Sequence, residues 1–344
     1  MTAVPRDETE APALLRLLEE QFLQGDDPDA VLARSLPSGL WSDALLAPLR
    51  DFLARPSKGF RAELVSWGYR LAGGTGQAPV VLSLIIECLH AGSLVVDDIE
   101  DASLERRGGP ALHCSFGVAR ALNAGNYLYF WPQLLLAHAG LDDAARLAAH
   151  ERVALCLTRC HEGQALDLQV RADHLPQRDV PKVALTISRL KTGGLLALAM
   201  ALGALAAGAP RERVDTIAEL GRALGVGLQT LDDVSGIMNV ARRHKGLEDL
   251  QHARVTWLWA TLAEELDATA YETRLRELRT VLEGGPADIL VERLRFQLGS
   301  LGVRRARAHV QAALSTLERK LGMNGLREEV LTEFKRLERR YVQV

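Results

Sequence analysis

Aromatic residues make up only 5% of this chain, and acidic and basic residues nearly cancel, 44 against 41, for a formal net charge of −3. So even a balance argues against a nucleic-acid partner, because proteins that bind nucleic acid carry a strong basic bias. Cysteine is scarce as well: Cys88, Cys114, Cys156 and Cys160 each sit inside an apolar pattern, and are expected to be reduced and buried. The longest uncharged apolar stretch, "LLALAMALGALAAGA" (195–209), is too short to span a bilayer and is rich in Ala and Gly. The opening "MTAVPRDETEAPALL" has acids where a secretory leader needs a basic start and an apolar core. Together these absences lead to the expectation of a cytoplasmic protein with no transmembrane segment. Strand-like alternation of apolar and polar residues is nearly missing too.

What is present is helical. Apolar residues recur at three- and four-residue spacing over 9–24, 40–54, 78–98, 117–138, 142–171, 180–207, 211–235, 250–266, 270–283, 286–298, 301–321 and 325–342. Breaks fall at Gly/Pro clusters such as "AGGTGQAP", "RGGPA", "DHLPQRDVP" and "EGGPA". With 344 residues, 48% hydrophobic and 25% charged, the chain is long enough for one large core. The expectation is an all-α fold: a mobile tail over 1–12, then a single domain over 13–344. Several helices are apolar around most of their circumference, as the inner helices of a large bundle are.

The chemistry concentrates in "SLVVDDIEDASLERRGGPALH" (93–113). Asp97, Asp98 and Asp101 crowd the end of an apolar helix, with Asp97 and Asp101 on one face. Acids placed so repel one another and are costly to desolvate, unless something positive binds them. A second pair, Asp232 and Asp233, ends another apolar helix in "LQTLDDVSGIMN", with Gln229 one turn earlier. Two such clusters suit hard divalent cations, which prefer oxygen and commonly bridge a carboxylate to a phosphate. Nearby bases point the same way: Arg106 and Arg107, Lys58 and Arg61 in "PSKGFRAEL", and Lys191 beside Thr192 in "RLKTGGLLALA". The residues therefore predict a site for a diphosphate head with an apolar tail. "CLTRCH" (156–161) lacks the further ligands that a zinc site needs, and its thiols are read as core.

These motifs resemble those of the polyprenyl synthetase family, the trans-isoprenyl diphosphate synthases, over roughly residues 50–340. "DDIED" resembles the first aspartate-rich motif and "ERRGGPALH" its continuation. "HAGS", "SKGFRA", "GQALDL" and "KTGG" resemble further family signatures, and "QTLDDVSG" part of the second aspartate motif. The resemblance implies the isoprenoid-synthase helical bundle around a central apolar cavity, a homodimer, and up to three Mg2+. It implies Mg2+ on Asp97, Asp98, Asp101 and Asp232, and the allylic diphosphate on Arg106, Lys191 and Lys245. Lys58, Arg61, His90 and Arg107 would hold isopentenyl diphosphate. Thr192 and Gln229 would stabilise the carbocation, with Lys191 beside them, and Gln164 and Asp167 would line the cavity. Gly92, five residues before Asp97, would leave the shaft for the tail open at that level, with Leu89 and Cys88 as a deeper floor.

The departures cluster in the second motif. Gly236 stands where its last carboxylate is expected, and Asn239 lies where Gly-Asp usually follows. Three functions therefore remain open: a prenyltransferase making a product of twenty carbons or more, a class I terpene cyclase of the same fold, and a non-catalytic subunit of a heteromeric synthase.

Overall fold

A computed structural model of the protein describes residues 10–56, 60–321 and 326–342. The chain divides into two compact units, Met1–Val153 with Leu202–Ala209, and Ala154–Ala201 with Pro210–Val344.

The first unit holds α1 (Glu10–Gln21), α2 (Pro28–Arg34), α3 (Ser38–Trp41), α4 (Ala47–Leu53), α5 (Phe60–Leu71), α6 (Val80–Glu100), α7 (Leu112–Phe116) and α8 (Val118–Leu135). Its centre is α6. That helix starts after Pro79, and nearly every residue from Val81 to Leu89 is buried, which explains why the sequence there is apolar all round. α6 and α8 approach backbone to backbone: a Cβ on Gly92 would lie 2.8 Å from the Gly125 carbonyl oxygen and 3.1 Å from Leu128 Cβ. Only glycine permits that approach.

Between α6 and α7 lies a two-stranded hairpin, Glu105–Arg106 paired with Gly109–Pro110, Arg106 opposite Gly109. Its loop residues Arg107 and Gly108 both have positive φ, 52° and 76°, the mirror-image turn that suits strand twist. Arg55 clasps the hairpin, its Nη1 donating to the carbonyls of Arg106 at 2.9 Å and Pro110 at 2.8 Å.

Two of the unit boundaries fall within α9 (Asp143–Gln169) and α11 (Thr192–Ala206), and the third between Ala209 and Pro210. The second unit also contains α10 (Val180–Leu190), α12 (Arg211–Met238), α13 (Arg243–Gln251), α14 (Trp257–Glu265), α15 (Ala268–Leu282), α16 (Asp288–Leu321) and α17 (Leu326–Val342). Its core gathers Val226, Val234, Leu250, Trp257, Trp259, Leu278 and Leu294.

Several boundaries differ from the sequence reading. The break expected near residue 299 is absent, and α16 runs on for 34 residues. Gly302 is there because Val234 of α12 occupies the space a Cβ would need. Conversely, the single helix expected over 180–207 breaks at Lys191, whose ψ is −94°. The thiol of Cys160 takes up the Leu190 carbonyl there, at 3.4 Å. Helix α5 was not anticipated, and 250–266 is two helices joined by an irregular turn. Cys114 is exposed rather than buried, and Cys160 is half-buried.

By length and composition alone, Val80–Glu100 and Gln177–Ala206 could cross a membrane. Within the fold, 72% and 56% of their most apolar windows are buried, as in core helices.

Candidate active site

Asp97 and Asp98 occupy the last turn of α6, and Asp101 caps it, its N–H donating to the Asp97 carbonyl at 2.8 Å. Asp98 is 0% exposed. Arg106 reaches it from the hairpin, Nε donating to Oδ1 at 2.7 Å, and lies 3.8 Å from Asp97. The other oxygen of Asp98, Oδ2, is buried without a hydrogen-bond partner. Burial pushes the Asp98 carboxyl above its ordinary range despite Arg106. A buried carboxylate with one oxygen open, flanked by two more acids, fits a hard cation that keeps waters and substrate oxygens as its remaining ligands. Among the described residues no group of three or more acidic, His or Cys side chains is placed to hold a metal ion by itself.

Arg107, expected to hold a diphosphate, is otherwise engaged. Its Nη2 donates to Glu87 at 2.6 Å, and its guanidinium lies 5.2 Å from the Phe52 ring centroid. Glu87 is buried on α6, and that pairing holds the hairpin tip in its left-handed conformation. Glu87 escaped the sequence reading, although an acid inside "IIECL" was the available signal. His90 is half-buried on α6. Lys58 and the side chain of Arg61 lie outside the described residues. Leu89 and Cys88 are buried. The open shaft expected at Gly92 is corrected: Gly125 and Leu128 fill the space beside it.

The second unit assembles a different network. At the α10–α11 break Lys191 Nζ bonds Asp167 Oδ2 at 2.5 Å, and Arg254 donates to the Asp167 carbonyl. Gln164 sits half-buried one turn before Asp167 on α9. Gly193 lets α12 pass close by, since a Cβ there would lie 3.1 Å from the Arg222 carbonyl oxygen. That approach brings Thr192 to Gln229, Oγ1 donating to Oε1 at 2.6 Å. Gln229 Nε2 in turn donates to Asp233 Oδ1 at 2.8 Å, and Asp233 Oδ2 accepts the Trp257 N–H at 2.8 Å. Burial drives the Asp233 carboxyl up to about 7, against those hydrogen bonds. Asp233 thus fixes which end of the Gln229 amide faces Thr192.

Both oxygens of Asp232 are paired with cations. Its Oδ1 accepts from Arg242 at 2.6 Å and its Oδ2 from Lys245. Burial alone would lower the Lys245 ammonium, but the charges of Asp232 and Asp249 outweigh it and hold Lys245 above its ordinary value. Gly236 packs against Gly246 of α13, where a Cβ would lie 2.8 Å from the Gly246 Cα. A carboxylate there would require the two helices to shift apart.

The family model for polyprenyl synthetases matches residues 42–284. The chain belongs to the polyprenyl synthetase family. Among its relatives, a geranylgeranyl pyrophosphate synthase of Metarhizium anisopliae is 32% identical over 244 residues, 70% of this chain and 69% of that one. Another, from Macrophomina phaseolina, is 30% identical over 224 residues, 64% of this chain and 66% of that one. A third, from Penicillium canescens, is 33% identical over 193 residues, covering 56% and 55%. The chain thus spans between about half and two thirds of the length of the curated relatives it matches. In fold it is similar to the Corynebacterium glutamicum geranylgeranyl pyrophosphate synthase solved with isoprenyl diphosphate and magnesium. That likeness has a TM-score of 0.72 at 20% identity and covers 97% of this chain and 96% of that one. The expected all-α isoprenoid-synthase fold is therefore observed.

Proposed function

We propose that this polyprenyl synthetase is a Mg2+-dependent prenyltransferase, condensing an allylic prenyl diphosphate with isopentenyl diphosphate to a product of twenty carbons or more. The observation that carries the reading is the open, buried oxygen of Asp98 between Asp97 and Asp101, with Arg106 alongside. The names of the curated relatives support the product size.

In this reading Asp97, Asp98 and Asp101 hold the metal, which supplies charge neutralisation to the departing diphosphate. Arg106, Lys191 and Lys245 bind and orient the allylic diphosphate; Arg106 and Lys191 leave the carboxylates they pair with, while Lys245 keeps its bond to Asp232 and turns its remaining N–H donors to the substrate. Lys58, Arg61 and His90 bind isopentenyl diphosphate. Arg107 serves by holding the hairpin that carries Arg106. Thr192 and Gln229 present oxygens to the developing carbocation; the bond to Asp233 keeps the Gln229 oxygen, not its NH2, on that side. Gln164 and Asp167 are cavity-lining residues of the second unit, and Leu89 and Cys88 apolar wall residues of the first. Apolar walls exclude water from the cation.

A second copy of the chain would cover the outer face of α8. Phe130 and Leu134, one turn apart on α8, are 71% and 70% exposed, and Val118 and Leu122 are exposed nearer its start. This supports a homodimer.

One observation favours the terpene-cyclase reading: the Arg107–Glu87 pair takes away a cation that only a prenyltransferase needs. Incubating the protein with Mg2+ and allylic diphosphates, with and without isopentenyl diphosphate, separates the two. Longer diphosphates are the expected product. Hydrocarbon or alcohol formed without isopentenyl diphosphate would establish the cyclase instead.

A further inference from the structure

The turn after α12 presents a second cation to Asp232. Asn239 ends the helix, and its Oδ1 accepts the Ala241 N–H at 3.0 Å. Its Nδ2 donates to the Tyr341 carbonyl of α17 at 3.3 Å. The short 3-10 turn Val240–Arg242 follows. The Arg242 guanidinium lies 4.8 Å from the Tyr341 ring centroid, within cation–π range. Its Nη2 donates to Asp232 Oδ1 at 2.6 Å. Arg242 is thus held from two sides, by a ring from the C-terminal helix and by the acid. Its Nε is buried with no hydrogen-bond partner, a donor left for an acceptor the protein does not supply.

We infer that Arg242 takes the place of a metal ion at the second acid cluster, neutralising Asp232 with a fixed guanidinium and offering a donor to a bound diphosphate oxygen. The inference deepens the proposed function and rests on it for the identity of the anion. Three features of the chain converge on it. Both oxygens of Asp232 already accept from cations, Arg242 and Lys245. The position four residues on is Gly236, which offers no ligand and whose Cβ space is filled by Gly246. The residue that ends the helix, Asn239, builds the turn that aims Arg242 rather than providing a carboxylate. A guanidinium is always charged and binds carboxylate and phosphate through a planar fork, so it can serve both partners at once. The protein then needs divalent metal only at Asp97, Asp98 and Asp101.

The test counts metal and anion separately from turnover. Full-length protein is titrated with Mn2+ by electron paramagnetic resonance in the presence of inorganic pyrophosphate. The double variant Asp97→Asn/Asp101→Asn, which leaves the second unit intact, is expected to bind no Mn2+, and Asp232→Asn to bind as many Mn2+ as the unmodified chain. With metal removed by EDTA, Arg242→Gln is expected to bind pyrophosphate about tenfold more weakly or worse, the loss of a charged hydrogen bond, and Arg242→Lys to recover part of it. A Mn2+ site surviving in the double variant, or lost from folded Asp232→Asn, would overturn the inference. So would unchanged pyrophosphate affinity in Arg242→Gln. Should Arg242→Gln not fold, the double variant decides alone. Because none of these measurements needs catalysis, a chain that passes them and yet forms no longer prenyl diphosphate refutes the proposed function and leaves Arg242 in place.

Discussion

Replacing Gly236 tests the α12–α13 crossing directly. On sequence grounds alone the change to Asp restores a lost carboxylate and removes a poor helix former, so it should do no harm. The structure reverses that expectation. A Cβ at 236 would lie 2.8 Å from Gly246 Cα and 2.9 Å from its nitrogen, distances at which backbone, not a flexible side chain, must move. Overpacking of this kind costs about 1–3 kcal/mol, whereas the gain in helix propensity from Gly to Ala is at most about 1 kcal/mol. Gly236→Ala is therefore expected to destabilise by about 1–2 kcal/mol. Gly236→Asp should cost more, since it adds a buried acid beside Asp232 and Asp233. Urea unfolding monitored by circular dichroism measures both, with the Ala variant isolating the steric part. An Ala variant as stable as the parent, or more so, would show that the two helices can move apart freely. The close crossing would then not be what excludes a third carboxylate.

Gly92→Phe is expected to unfold or strongly destabilise the protein rather than shorten a product, because Gly125 and Leu128 fill the space; a folded, active variant with a shorter product would contradict this. Asp97→Ala should abolish turnover while leaving the thermal midpoint nearly unchanged, since Asp97 is partly exposed. Asp98→Ala should lower the midpoint as well, because it strands the Arg106 guanidinium. Equal midpoints would refute the distinction. Burial holds the His309 imidazole below its ordinary value, where it packs 5.3 Å from Trp257. Its neutral form is thus favoured by folding, and stability should fall as pH drops below about 6.5, the ordinary histidine value. His309→Gln should flatten that part of the urea-midpoint profile, and an unchanged slope would assign the pH dependence elsewhere.

Much of this is legible in the sequence. The helical period, the two acid clusters, the KTGG and QTLDD signatures and the family follow from local order, because 3.6-residue periodicity and motif spacing are properties of the chain itself. Clustered acids at the end of an apolar run carry their own signal, since their repulsion needs an explanation anywhere. Roles that depend on a distant partner carry none. Arg107 and Arg106 are neighbours with the same chemistry, yet one bonds Glu87 and the other Asp98, because a mirror-image turn sends them apart. Arg242 in "ARRH" reads as a solvated charge until Tyr341, 99 positions along, is seen beneath it. Gly92 and Gly236 read as open space and helix weakness, and Gly302 as one more residue within the helix expected over 301–321. Each is a point where another helix comes within contact distance. A glycine in a sequence states only that a side chain is missing. Whether that space is empty or filled depends on which helix packs there, and only the tertiary structure decides it.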